Sequence, residues 1–412
     1  MNSRTLTRPA IALLLVALLF ADVASDFETT MGFSAMSNVL DEYRHPSATW
    51  WVVSAYVLTG AVGAVVVGRL GDRFGRRRVL LIMLACSGLG ALICALAHGY
   101  LDVIIGRFMQ GLSGAMLALT LGIARETLGP KQLPTSVGVI TTTQTLGGAL
   151  GLLSGGLIVD HFGWRRKRWA SVGFMIVSLI LVSLFVPDSK GAKDRPRVDL
   201  RQLISPQLLL PNFAVALCAL GALHHPQIFL RVMQQPVLTG VGPGLSLTLA
   251  CGLQIPGAAL MAAGSPLTSR AVTRWGGGRA IMGGMIVAAA ACLAVMLAPQ
   301  HLWLMAACAI LTALGVGLVY VAVPNLLIAI SPIERTSETI GVFAAVRTSA
   351  MGFGSWVVLA LLAASATHAS GAPPTLAGFR LALGLVAATC LACAVVAWVL
   401  TRSNRPGAER PA

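Results

Sequence analysis

Twelve stretches of the chain are each about 20 residues long or more and almost wholly apolar, and that repetition leaves few folds open. They run at 10–38, 48–70, 78–97, 100–124, 135–160, 168–187, 208–230, 244–268, 279–298, 302–325, 339–364 and 379–401. A helix rising 1.5 Å per residue crosses the ~30 Å hydrocarbon core of a bilayer in about 20 residues. Within lipid the backbone must satisfy its own hydrogen bonds, so apolar runs of that length read as helices. Charged residues make up only 11% of the 412, against about 25% in soluble domains. Such a chain cannot cover a water-facing surface, and it is too apolar to be disordered. The reading is an all-α polytopic membrane protein with twelve transmembrane helices and the lipid bilayer as its partner. Pro211 and Pro226 interrupt the seventh stretch.

The longest polar connection, Asp188–Gln207, follows the sixth span and contains DSKGAKDRPRVDLR. It divides the chain into an N-terminal six-helix half at 1–187, a cytoplasmic central loop at 188–207 and a C-terminal half at 208–412. Thirty Lys and Arg against fifteen Asp and Glu give a net charge of +15. In a soluble protein that excess would suggest nucleic acid; here it is to be sorted across a bilayer, and no nucleic-acid partner is expected. Alternate loops hold 21 and 7 basic residues, with Arg107 and Arg347 inside spans. The positive-inside rule then places both termini and the central loop in the cytoplasm. Arg165, Arg166, Lys167 and Arg168 fall on the other side and dissent. Arg4 and Arg8, followed by an apolar run to Ala24, imitate a cleavable secretory signal. Cleavage would leave eleven spans, whereas the apolar pattern continues to Val39. The expected location is a bacterial inner membrane.

All eight cysteines lie within apolar runs and read as small buried hydrophobes, without a zinc-ligand spacing. The chain also repeats itself. GRLGDRFGRRRV at 68–79 follows the second span, and SRAVTRWGGGRA at 269–280 follows the eighth. In register, Arg73 matches Arg274, Phe74 matches Trp275, Gly75 matches Gly276 and Arg78 matches Arg279, but Thr273 stands against Asp72. Two parallel six-helix halves suit alternating access around a central cavity.

Gly68, Asp72, Arg73, Gly75, Arg76 and Arg77 stand in a segment that resembles the loop 2–3 signature of the major facilitator superfamily, Gly-x-Leu-x-Asp-Arg-x-Gly-Arg-Arg. Glycines there permit a tight turn, and Asp72 can pair with neighbouring arginines or with a helix N-terminus. A plain positive-inside loop explains the arginines but not the ordered Gly, Asp and Gly. In the fourth span Arg107, Gln110 and Gly111 resemble the family's Arg-x-x-Gln-Gly motif. A charge within a span is costly and marks function by default; the bland alternative is an arginine that snorkels to the outer interface. In the fifth span Gly147, Gly151, Gly155 and Gly156 resemble the Gly-x-x-x-Gly-Pro-x-x-Gly-Gly signature of proton-coupled antiporters, with Leu152 in the place of proline. Small residues four apart also serve as an ordinary packing face.

The first span carries Asp22, Asp26 and Glu28. Phe27–Met31 is similar to the Leu-Asp-x-Thr-Ile run of drug:proton antiporters, with Glu28 at the acidic position. Asp22 and Asp26 share a helix face, while Glu28 lies about 200° round from Asp26. A carboxylate alternating between an apolar site and an arginine can load and release a proton. The resemblance thus implies the major facilitator fold and a drug efflux antiporter. Asp22, Asp26 and Glu28 are joint candidates to carry the proton, with Arg107 as the fixed charge that couples to them; the proton gradient would supply the energy, and no cofactor or metal is expected. Thr142, Gln144, His224 and Arg347 are further candidates to line the cavity for a small-molecule substrate, although Thr, Gln and His also serve as interhelical glue. A monomer is expected. Proton-coupled import of a nutrient is the alternative within transport. A receptor predicts a large soluble domain, and an enzyme a convergent catalytic set, which the seven histidines do not form. ATP-driven transport would need a phosphate-binding glycine loop with lysine, and none appears.

Overall fold

The computed structural model describes residues 8–34, 49–142, 147–148, 151, 154, 164–189, 206–235, 242–298, 301–364 and 375–403. Among these residues every regular element is helical. The N-terminal helices are α1 (Arg8–Ser34), α2 (Thr49–Phe74), α3 (Arg76–Ala95), α4 (Tyr100–Gly111) and α5 (Met116–Thr127). They are followed by α6, helical at 133–142 and at the described residues to 154, and by α7 (Trp164–Phe185). Next come α8 (Pro206–Leu220), α9 (His225–Met233), α10 (Leu247–Gly252), α11 (Ile255–Ala263), α12 (Ser265–Trp275) and α13 (Gly277–Leu297). The chain ends in α14 (Leu302–Ile330), α15 (Thr336–Ala364) and α16 (Leu376–Ser403). Nine helices among the described residues are long and apolar enough to cross a membrane, while Trp169–Phe185 and Thr248–Ala263 are shorter apolar helices.

Two of the apolar stretches are not straight rods. The seventh breaks at Gly221 into a 3-10 turn at Ala222–His224, and Pro226 sits in the first turn of α9, where a missing N–H costs nothing. Pro211 is carried inside α8 without ending it. The eighth, counted from sequence as one span, is three short helices. Pro256 and Pro266 occupy the first turns of α11 and α12, after Gly252 and Gly264. Proline removes a donor and clashes with the preceding turn, so each helix restarts at its proline. The fourth span also changes pitch: α4 passes into α5 through a 3-10 turn at Leu112–Ala115.

Contacts divide the chain into two compact units. One is Met1–Val198 with Ile328–Ser349, and the other is Asp199–Leu327 with Ala350–Ala412. In the first unit α1 lies against α5 and α7, and α3 against α4 and α7. Two glycine contacts set the spacing around α4. A Cβ on Gly90 or on Gly106 would lie 2.7 Å from the other's carbonyl oxygen, and one on Gly111 would lie 2.5 Å from the Tyr56 carbonyl. Small residues let these backbones touch and so bring the polar side chains between them within reach of one another. In the second unit α16 packs along α13 and α8.

The sequence repeat is matched by backbone geometry. Gly75 joins α2 to α3 at φ 99°, ψ 124°, and Gly276 joins α12 to α13 at φ 85°, ψ 143°. In each junction the glycine N–H closes the preceding helix, on Gly71 and Val272, while its carbonyl accepts from Val79 and Ala280. A side chain at such φ would crowd the carbonyl of the residue before it, which explains the glycine at both places.

Candidate functional site

Glu28 and Arg107 belong to one buried polar centre among α1, α2, α3 and α4. The Ser87 hydroxyl donates to Glu28 Oε2 at 2.8 Å, and Gln110 Nε2 approaches Oε1 at 3.4 Å. Arg107 Nη1 donates to Gln110 Oε1 at 3.1 Å and reaches the Glu28 backbone carbonyl at 3.4 Å. Its guanidinium carbon stands 4.5 Å from the Tyr56 ring centroid, within cation–π range. The Tyr56 hydroxyl continues the chain to Ser113 Oγ at 3.1 Å and to the Ser25 carbonyl at 3.3 Å, and Ser25 Oγ donates to Ser113 Oγ at 3.1 Å. Glu28 is 2% exposed and Arg107 6%. Arg107 is therefore an internal partner of Glu28 and does not snorkel outward. Ser113 lies in the 3-10 turn between α4 and α5, a change of pitch that often marks a hinge.

Asp22 faces elsewhere. It is fully buried, and neither carboxylate oxygen has a hydrogen-bond partner among the described residues. Thr120 of α5 stands beside it with its own hydroxyl turned to the Leu117 carbonyl at 3.2 Å. Arg347, 9% exposed on α15, lies within electrostatic range of both Asp22 and Asp26. Helix α1 thus carries two acidic centres, one around Glu28 and one around Asp22 and Asp26. Gly147 brings α6 against the second centre, since a Cβ there would lie 2.9 Å from Val23 Cγ1. Gly151 is helical and buried, and Thr142 donates to the Gly138 carbonyl at 2.7 Å. Gln144, Gly155 and Gly156 lie outside the described residues.

The signature loop forms a third centre. Asp72 Oδ1 accepts from Arg76 Nη2 at 2.6 Å and Nε at 2.9 Å, and Oδ2 accepts the Glu338 backbone N–H at 3.0 Å. That N–H is one of the orphan donors in the first turn of α15, so Asp72 meets a helix N-terminus as well as an arginine. Arg76 is 2% exposed. It also reaches Glu126 at 2.6 Å, Ser337 Oγ at 2.8 Å and the Ile333 and Gly122 carbonyls at 2.8 and 2.9 Å. Arg125 completes the clasp, donating to Thr336 Oγ1 at 2.6 Å and to the Ser331 carbonyl at 2.8 Å. Gly68 lies directly under the Ser337 carbonyl, and Arg69 pairs with Glu338 at 3.5 Å. Arg77 turns the other way, to Asp188 and to the Ser183 carbonyl at 2.7 Å. Arg73 lies over Phe74.

His224 belongs to the second unit. It is buried against Gly354, and its ring nitrogens have no partner among the described residues. His225 Nε2 is 3.4 Å from Cys308 Sγ. Seven of the eight cysteines are buried. Sequence reasoning passed over Ser87, Tyr56, Ser113, Arg125 and Glu126. Only the last pair carried a signal, two charges at the end of a span.

These centres can be set beside known proteins. The family model described as Major Facilitator Superfamily matches residues 18–355 and 239–412. The chain belongs to the major facilitator superfamily. Twelve membrane helices are typical of that family, whose proteins are membrane transporters, not enzymes. A triacylglyceride transporter of Mycobacteroides abscessus is 32% identical over 241 residues, 57% of this chain and 44% of its own length. The multidrug efflux pump LfrA of Mycolicibacterium smegmatis is 32% identical over 216 residues, 51% of this chain and 42% of that one. A tetracenomycin C resistance and export protein of Streptomyces glaucescens is 27% identical over 198 residues, 48% and 37% of the two chains. The matches thus span less than half the length of these curated relatives. The crystal structure of the human organic anion transporter MFSD10 shares the fold, with a TM-score of 0.72 over 95% of this chain and 100% of that one, at 15% identity.

Proposed function

We propose that this superfamily member is a secondary active transporter that exports a small organic compound in exchange for protons by alternating access. One observation carries the reading: a buried carboxylate, Glu28, is held by Ser87 and Gln110 and flanked by the buried charge of Arg107. A membrane-embedded acid beside an arginine can change protonation when its surroundings change, which is what coupling requires. Asp22 and Asp26, beside Arg347, form the second acidic centre through which substrate and proton compete. The clasp at Asp72 holds the first turn of α15 and must open and reform in each cycle. Relatives named for drug export and for triacylglyceride transport support an apolar organic cargo. The topology that goes with this reading has both termini in the cytoplasm of a bacterial inner membrane, and a monomer as the working unit.

The test is a panel of dyes and toxic compounds in cells with and without the protein, followed by efflux after collapse of the proton gradient. Efflux that stops with the gradient, and a Glu28→Gln variant that reaches the membrane but does not accumulate protons against substrate, are expected. Efflux that persists without the gradient would remove the coupling.

A further inference from the structure

A groove of about 740 Å³ runs between the end of α13 and the start of α16. Met296, Leu381, Leu385, Gly384 and Ala388 line it, and Arg380 stands at its rim. The groove exists because Gly384 offers no side chain: a Cβ there would have only Met296 Cε, at 3.6 Å, within contact distance. From Leu376 to Ala388 the helix advances about 18 Å, slightly more than half of the ~30 Å hydrocarbon core. The walls are thus apolar over the depth of one leaflet. Arg380 is exposed and donates Nε to the Met296 carbonyl at 3.2 Å, while neither Nη atom has a hydrogen bond to a described residue. Arg380 is also among the seven basic residues that the loop-charge count places away from the cytoplasm, where orientation gives it no purpose.

We propose that this groove binds an anionic phospholipid, with one acyl chain along α13 and α16 and the phosphate on Arg380. An arginine whose two Nη atoms donate to no described residue presents a planar fork that matches a phosphate, and the Nε contact to Met296 fixes that fork at the mouth of the groove. The assignment needs only that the chain crosses a membrane, and does not depend on proton coupling.

The test is native mass spectrometry of the full-length protein released from detergent with dioleoyl-phosphatidylglycerol or, separately, dioleoyl-phosphatidylcholine. Wild type should retain phosphatidylglycerol about fivefold better than phosphatidylcholine, the worth of one arginine near a membrane surface. Arg380→Gln should lose that preference, and Arg380→Lys, a point charge without the fork, should keep only part of it. Gly384→Leu, which fills the groove, should lower retention of both lipids. Equal retention of the two lipids by wild type, an undiminished preference in Arg380→Gln, or a second copy of the chain occupying the face as a dimer would each overturn the proposal. Melting temperatures of the variants separate loss of the site from loss of the fold.

Discussion

Replacing Asp72 by Asn should release the first turn of α15, and the size of the effect follows from the contacts. Asp72 accepts two charge-assisted hydrogen bonds from Arg76, at 2.6 and 2.9 Å, and one from the Glu338 N–H at 3.0 Å. Asn keeps an acceptor but removes the charge. A hydrogen bond to a charged group is worth about 1.5–3 kcal/mol and a neutral one about 1. Loss of the charge at the N-terminus of a helix adds up to about 1–2 kcal/mol in a buried setting. Glu126, 2.6 Å from Arg76, continues to neutralise the arginine and limits the loss. The net is about 2–3 kcal/mol, or roughly a 30- to 140-fold rise in the open population. Ile340, fully buried on α15, gives the assay. An Ile340→Cys reporter should react with an impermeant maleimide, added from the cytoplasmic side, in proportion to that population. The native cysteines, mostly buried, set the background and are measured in parallel. Asp72→Asn should raise the reporter's rate by one to two orders of magnitude while the protein still inserts. An unchanged rate would show that the clasp does not hold α15, and that the loop serves orientation alone.

Arg107→Lys should lower transport at least tenfold in a dye-efflux assay, because a lysine cannot both stack on Tyr56 and donate to Gln110. Ser87→Ala should lower gradient-driven dye efflux severalfold while the protein still reaches the membrane, since it strips Glu28 of its donor at 2.8 Å; unchanged efflux would mean that this contact plays no part in the cycle. Gly75→Ala should cost about 1–2 kcal/mol for the left-handed backbone alone, with more from the Ser189 carbonyl 2.6 Å from the new Cβ, read as a lower melting temperature in detergent. Gly276→Ala meets no atom within 4 Å and should cost only the backbone share.

Fold class was legible because it needs only the length and polarity of each stretch, and a bilayer punishes exceptions. The breaks in the eighth stretch were legible in Pro256 and Pro266, but an apolar window averages them away. The centre around Glu28 was half legible. Glu28, Arg107 and Gln110 each stood out as polar groups in apolar helices, whereas their joining depends on Gly90, Gly106 and Gly111 drawing α2, α3 and α4 together. Ser87 and Tyr56 left no mark, since a serine or a tyrosine within a span is ordinary. The clasp needed tertiary information altogether: Asp72 is separated from Glu338 by 266 residues.

The two glycine junctions separate what the fold demands from what the clasp demands. Both need positive φ, and both have glycine, so the tight helix-to-helix turn is a requirement of the repeated architecture. Only the first junction has Asp72, and only there does an arginine directly follow the glycine, sunk to 2% exposure with a carboxylate on either side; Gly277 stands in that place at the second. At the second junction Thr273 stands in the place of Asp72, its hydroxyl turned back to the Arg270 carbonyl at 3.0 Å. Arg274 lies in the last turn of α12, where its charge suits a helix C-terminus. Arg73 and Arg274, which do match, are both exposed and suit orientation alone, so the buried Arg76 needs a separate explanation. The burial of Arg76 between Asp72 and Glu126 has a desolvation cost that only a specific partner justifies, and the partner it holds is the start of α15.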